Sequence, residues 1–207
     1  MRRLGTALFL FLLAPLGAQV PDGWYVFCSF QSSTKGETGI FMSHPRTPNR
    51  LLKVTGLTPD LKWVKGGRQG ASCIVRRPSD GALIVGERAP KGHSVDLHVI
   101  ELKGTAVHRD QLFSLGVSAA VGEIPQCAIM PDGRILVAAT DLSSGPLANI
   151  QTAQYNKEGI GLLDPVSGKL TVVPVTNTSL PGVINGLTLS PDGKTCYFGT
   201  WVSGQQG

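Results

Sequence analysis

The side chains that could carry chemistry are few and widely spaced in this chain of 207 residues. Its four histidines show no metal-ligand spacing, and its four cysteines form no CxxC pair, which argues against a zinc site. The sequence contains no Ser-His-Asp set, phosphate-binding loop or nucleotide fingerprint. His98 follows Asp96 by two residues in an alternating segment, so these side chains are expected to form an ordinary surface pair on one strand face. These residue types therefore predict no catalytic residue.

The cysteines leave two alternatives open. All four lie in strand-like segments, where a small apolar side chain fits a buried position. Disulfides are permitted if the chain is exported, and four cysteines allow three pairings. The sequence favours neither buried free thiols nor bridges. The four positions are Cys28, Cys73, Cys127 and Cys196.

One long connection is a candidate ligand site. It runs from Asp141 to Glu158 between two predicted strands. Connections of this length inside a compact domain are often functional, so this one is expected either to overhang a binding channel or to be a surface excursion. The candidate rim residues are Asp141, Asn149, Gln151 and Tyr155.

The first residues predict export. A basic start at Arg2 and Arg3 precedes a short apolar run, and Gly17-Ala18 completes a signal peptide over residues 1–18. Its removal takes away two positive charges and no negative one, so the formal net charge falls from +5 to +3. Scattered basic residues with this small balance argue against a nucleic-acid partner, and no membrane span is expected after cleavage. The predicted location is the periplasm or the extracellular space.

A recurring turn organises the elements that must position these residues. Each copy places Pro or Ser, then Asp, then Gly before an apolar strand, and the Asp positions are 58, 52 and 60 residues apart. Pro sets φ, Asp hydrogen-bonds its own backbone and Gly accepts a positive φ, so each copy predicts a tight turn. The copies are Pro21-Asp22-Gly23, Ser79-Asp80-Gly81, Pro131-Asp132-Gly133 and Pro191-Asp192-Gly193.

A second pair of strands is predicted between successive turns, which gives four strands for each unit of about 55 residues. Repeats of this size are typical of an all-β fold, the β-propeller of four-stranded blades. A single β-sandwich with chance repeats is the alternative. The second pairs fall at 39–45 with 50–54, 95–102 with 107–115, and 159–169 with 170–175.

The predicted domain is a partial β-propeller over residues 19–207. Its units lie near 22–80, 80–132 and 132–192, and a further blade begins before residue 207. About three blades are too few to close a ring, because closed propellers have about four or more. We therefore expect that the sequence is a piece of a longer protein, or that another chain completes the ring.

Three motifs follow one another in the last third of the chain. They read Pro-Asp-Gly-Arg-Ile-Leu-Val at 131–137, Gly-Ile-Gly-Leu-Leu-Asp-Pro at 159–165, and Ile-Asn-Gly-Leu-Thr-Leu-Ser-Pro-Asp-Gly at 184–193. With them the segment resembles the calcium-dependent six-bladed propellers of the gluconolactonase, senescence-marker and strictosidine-synthase-like superfamily. The resemblance implies a propeller fold and a metal-dependent hydrolysis of lactones or related esters.

The resemblance also implies that Asn185 is a ligand of the catalytic metal, Ca²⁺, through its amide oxygen. The other expected ligands are not matched. Pro125 stands at the position of the family's second Asn, the early Glu has no counterpart, and the ligand Asp would fall beyond Gly207. The alternative for Asn185 is a strand-start residue that hydrogen-bonds its own backbone.

Two functions from different classes follow from these observations. The first is an exported β-propeller binding or scaffold module, which presents loop tips and a central channel to a small molecule or a protein partner. The second is a Ca²⁺-dependent hydrolase of the gluconolactonase type, acting on lactones or esters. The ligand residues of the absent blades would distinguish them.

Overall fold

The fold is described from a computed structural model. The described residues are 20, 23–29, 39–61, 70–87, 94–117, 126–140, 158–173 and 183–201. The predicted signal peptide lies outside these ranges, as do the candidate rim residues Asp141, Asn149, Gln151 and Tyr155.

The described residues form thirteen β-strands and one short 3-10 turn, without an α-helix, which confirms the all-β prediction. Strands are present on both sides of the three later turns and in each predicted second pair. The strands are β1 (Tyr25–Ser29), β2 (Gly39–His44), β3 (Thr47–Lys53), β4 (Ala71–Arg76), β5 (Leu83–Glu87), β6 (Ser94–Lys103), β7 (Ala106–Val117), β8 (Gln126–Ile129), β9 (Ile135–Thr140), β10 (Glu158–Leu163), β11 (Leu170–Val173), β12 (Val183–Leu189) and β13 (Cys196–Trp201).

The strands pair antiparallel with their neighbours in the chain and form four sheets. The first sheet has the order β1-β2-β3, the second β4-β5-β6-β7, the third β8-β9-β10-β11 and the fourth β12-β13. Pairing between consecutive strands is the arrangement that hairpin connections allow. Each of the last three sheets therefore begins with the strand that precedes one of the recurring turns.

The turn aspartates act as the sequence predicts. In three turns the carboxylate accepts a hydrogen bond, at 3.1 Å, from the amide two residues further along. This contact closes the turn locally and leaves the flanking strands free to pair. The donor amides belong to Ala82 for Asp80, to Arg134 for Asp132 and to Lys194 for Asp192.

The second sheet is covered on both faces. Leu83 and Ile100 face a core shared with the first sheet, whereas Ile84 and Leu97 face a core shared with the third sheet. All five residues of β5 are buried, as expected for a strand with apolar layers on both sides. The second sheet is thus the middle layer of three.

The four sheets follow one another through their first strands. β1 contacts β4, β4 contacts β8, and β8 contacts β12. No contact of comparable extent joins β12 back to β1 in the part of the chain that the structure describes. The described sheets therefore form an open series, and they do not close a ring.

Candidate functional site

Hairpin turns from three successive sheets lie next to one another and line a groove. They join β4 to β5, β8 to β9 and β12 to β13, so each of the last three sheets contributes one turn. The groove has a volume of about 350 Å³, which is in the range of small-molecule sites. Its walls include Pro78, Ser79, Met130, Pro131, Ser190 and Pro191.

Gly193 brings the third and fourth sheets into contact at this groove. Its φ is +69°, a conformation that residues with a side chain rarely adopt. A Cβ atom at this position would also clash with the ring of Pro131. The recurring glycine therefore serves both the turn and the close approach of two turns that are 60 residues apart in sequence.

The carboxylates beside the groove are hydrogen-bonded within their own turns. Asp132 accepts a hydrogen bond from the Arg134 side chain at 2.8 Å, and this bond, with that from the Arg134 amide, lowers its pKa. Asp192 accepts from the Ser190 hydroxyl at 2.6 Å and from the Lys194 amide, which lower its pKa likewise. Both groups are ionised at neutral pH, so neither is suited to act as a general acid. The groove offers mainly prolyl rings, the thioether of Met130 and the hydroxyl group of Ser79.

A buried ionisable cluster lies in the second sheet, on the face that packs toward the first sheet. His98 of β6 is only 3 % exposed and lies between Glu87 of β5 and Asp110 of β7. Its Nδ1 is 3.0 and 3.1 Å from the two carboxylate oxygens of Asp110. Its Nε2 is 3.5 Å from Oε2 of Glu87 and has no hydrogen-bond partner among the described residues. One imidazole thus joins three adjacent strands.

The electrostatics of this cluster favour an imidazolium. Burial alone lowers the pKa of His98, but the hydrogen bond to Asp110 and the attraction of Glu87 outweigh it and raise the pKa to about 9. At neutral pH the ring is therefore protonated and Nδ1–H donates to Asp110. A group that holds its proton this firmly is a poor general base at pH 7. The cluster is accordingly an internal ion pair of the sheet.

The predicted surface pair of His98 with Asp96 is wrong. Asp96 shares the strand face, but its carboxylate accepts a hydrogen bond from the Ser94 hydroxyl. His98 is buried in the sheet, and its ring contacts the carboxylates of Glu87 and Asp110 on the neighbouring strands. The sequence signal was the presence of ionisable residues on three consecutive strands, and selecting Glu87, His98 and Asp110 among them requires the cross-strand register. That register includes a shift between Glu101 and Leu102, which the sequence does not reveal.

Asn185, the metal ligand implied by the resemblance, lies near the start of β12. The register shifts between the pairs Ile184–Thr200 and Leu187–Phe198, so Asn185 and Gly186 form a β-bulge in the first strand of the fourth sheet. Bulges are frequent next to active sites, where they redirect side chains. Pro125 and the candidate rim residues lie outside the described ranges.

The described residues contain no group of three or more His, Cys, Asp or Glu side chains that could hold a metal ion. Ca²⁺ takes about six to eight oxygen ligands, and Asn185 alone does not approach that number. The His98 cluster does not fit either, because its cation is the imidazolium.

Comparisons with known proteins give no relative. No family model, no curated protein and no solved structure matches this chain. Among the described residues, no helix is long and apolar enough to cross a membrane.

Proposed function

We propose that this chain is part of an exported β-propeller binding module, and that the groove between the hairpin turns is its ligand site. The observation that carries the proposal is the order of the sheets. Each sheet is built from consecutive antiparallel strands, and the first strands are neighbours in chain order. This is how propeller blades follow one another around an axis.

The chemistry of the groove indicates the class of ligand. Pro78, Pro131 and Pro191 present apolar rings, and Met130 adds a thioether that adapts to different shapes. The Ser79 side chain offers a hydroxyl group at the same groove, whereas the Ser190 hydroxyl is already bonded to Asp192 and to the Thr195 amide. Such a lining suits a compact apolar molecule with one or two polar atoms, which is the usual composition of small-molecule sites.

Methionine methyl resonances test this assignment directly. Met130 lines the groove, whereas Met42 is 2 % exposed in the core between the first and second sheets. We expect that small aromatic and alicyclic fragments, titrated into the full chain labelled with ¹³C-methyl methionine, move the Met130 signal in a saturable way. The Met42 signal serves as the internal control and stays in place. A Met130→Leu variant identifies the resonance.

A pair of variants then separates groove binding from general effects. Met130→Ala should weaken the best fragment about tenfold, which corresponds to about 1.4 kcal/mol. Val166→Ala is the matched control, because Val166 is 93 % exposed in the turn between β10 and β11. If no fragment in the set moves the Met130 signal, or if binding is unchanged in Met130→Ala, the groove is not the ligand site.

The second candidate is the Ca²⁺-dependent lactonase-like hydrolase. It is supported by the position of Asn185 in a β-bulge of β12, because bulges are frequent next to active sites. Isothermal calorimetry with CaCl₂ tests it. Saturable binding that is lost in Asn185→Ala, followed by hydrolysis of a simple lactone, would place this function ahead of the binding module. Without calcium binding, the hydrolase is eliminated for this chain.

A further inference from the structure

Two cysteines from different sheets meet at the centre of the fold. Cys73 lies in β4, the first strand of the second sheet, and Cys127 lies in β8, the first strand of the third. They are 54 residues apart in sequence, yet their sulfur atoms are 3.2 Å apart. Both thiols are free in this structure. The contact sits where two successive sheets are joined.

The surroundings of the two thiols differ. Cys127 is 4 % exposed and belongs to the core shared by the second and third sheets, against which the half-buried Cys73 packs. The hydrogen bond with Cys73 and burial both raise the pKa of Cys127 well above its usual value. Cys127 is therefore a slow nucleophile, and Cys73 is the thiol that a reagent reaches first.

We propose that Cys73 and Cys127 are a disulfide-forming pair, which fastens the second sheet to the third when the chain meets a small disulfide such as oxidised glutathione. The sulfur atoms must approach by about 1 Å to reach the S–S bond length of about 2.05 Å. Both residues lie on strands whose sheets already contact each other, so this approach requires no rearrangement of the fold. The predicted export would bring the chain into an oxidising compartment, where such bonds persist.

The reaction proceeds as two thiol–disulfide exchanges. Cys73 loses its proton and attacks one sulfur of the oxidised glutathione, which forms a mixed disulfide and releases one glutathione thiol. Cys127 then loses its proton and attacks the Cys73 sulfur, which forms the protein disulfide and releases the second glutathione thiol. Overall, two protein thiols are oxidised, one glutathione disulfide is reduced to two thiols, and no other oxidant is required.

Peptide mapping of the full-length chain tests the pairing. After native oxidation with glutathione disulfide and capping of free thiols, trypsin should release the segment 69–76 linked to 110–134, because cleavage sites flank both cysteines. We expect the number of free thiols to fall from four to two. Cys28→Ser is the matched control, because Cys28 lies in the first strand of the first sheet, and this variant should give the same linked peptide.

Oxidation in concentrated guanidinium chloride supplies the reference, since an unfolded chain pairs its cysteines without the guidance of the fold. The proposal is overturned if native oxidation gives the same mixture as the unfolded reference, if Cys73 pairs with Cys28, or if four thiols survive. The melting temperature is an independent readout. Reduction of the oxidised chain should lower it by about 5–10 °C, and Cys127→Ser should abolish this difference.

Discussion

Replacing the buried imidazolium of His98 should destabilise the fold in a way that depends on pH. His98→Gln keeps an amide donor of similar size but leaves the carboxylates of Glu87 and Asp110 without a buried cation. Breaking such a pair from one side is strongly unfavourable, because an uncompensated charge remains inside the protein. The substitution therefore tests whether the cluster is charged.

The magnitude follows from the pKa of His98, which is about 9 in the fold against 6.5 in a free chain. A pKa raised by folding stabilises the native state fully below pH 6.5, and this contribution is lost as the pH rises through 9. Near pH 6.5 it amounts to about 3 kcal/mol, at about 1.4 kcal/mol per pH unit, and about 2 kcal/mol of it should be lost by pH 8.5.

Urea denaturation at pH 6.5, 7.5 and 8.5, under reducing conditions, measures this contribution. The measurements stop at pH 8.5 because of the thiols. Burial raises the pKa of Cys28 to about 11 in the fold, so at higher pH this thiol ionises first in the unfolded chain. That ionisation would lower the stability of the fold independently of His98. Arg109→Gln is the matched control on the same hairpin. Arg109 and Glu101 are 3.6 Å apart at side-chain exposures of 64 % and 39 %, so its loss should change stability by less than about 1 kcal/mol.

The expected pattern is a wild-type stability that falls with pH, and a His98→Gln variant that is less stable and nearly flat over the same range. A wild-type stability that does not change between pH 6.5 and 8.5 would show that His98 is not a buried imidazolium. The same conclusion follows if His98→Gln retains the wild-type slope, because another group would then be responsible.

Two further predictions concern packing. Gly193→Ala should lower the free energy of unfolding by more than Gly104→Ala does, since both positions have a positive φ but only Gly193 meets the ring of Pro131. The backbone strain of an alanine with positive φ amounts by itself to about 1–2 kcal/mol. Equal losses in the two variants would mean that the turns of Gly193 and Pro131 do not touch. Leu97→Ala should cost about 2–5 kcal/mol because Leu97 is fully buried between the second and third sheets, whereas Leu112→Ala at 56 % exposure should cost less than about 1 kcal/mol in the same denaturation assay.

The strands and turns could be predicted from the sequence because their causes are local. Each turn aspartate that the structure describes accepts a hydrogen bond from an amide two residues away, as Asp80 does from Ala82. Alternation along β6 likewise places Val95, Leu97 and Val99 on one face, where they join a single core. Such patterns depend only on neighbouring residues, so they can be predicted from the sequence.

The sites depend on contacts between segments that are distant in the chain, and local sequence patterns do not predict such contacts. The ion pair of His98 requires a register that is set by two hairpins and by an irregularity in β7 opposite Glu101 and Leu102. The contact of Cys73 with Cys127 depends on the order of the first strands, in which β4 contacts both β1, the strand of Cys28, and β8, the strand of Cys127. The packing of side chains then brings the sulfur of Cys127 to 3.2 Å from that of Cys73. That order belongs to the packing of whole sheets. The interpretation of Asn185 was carried by resemblance, and it stays a prediction.

The groove exists only if successive sheets converge at their hairpin turns, and the contact of Gly193 with Pro131 tests this convergence most directly. A two-dimensional nuclear Overhauser spectrum of the full chain should show cross-peaks between the α protons of Gly193 and the ring protons of Pro131. Cross-peaks within each turn, as between Asp192 and Lys194, provide the internal control. If the peaks within the turns are present and those between Gly193 and Pro131 are absent, the sheets do not meet there, and the groove does not exist.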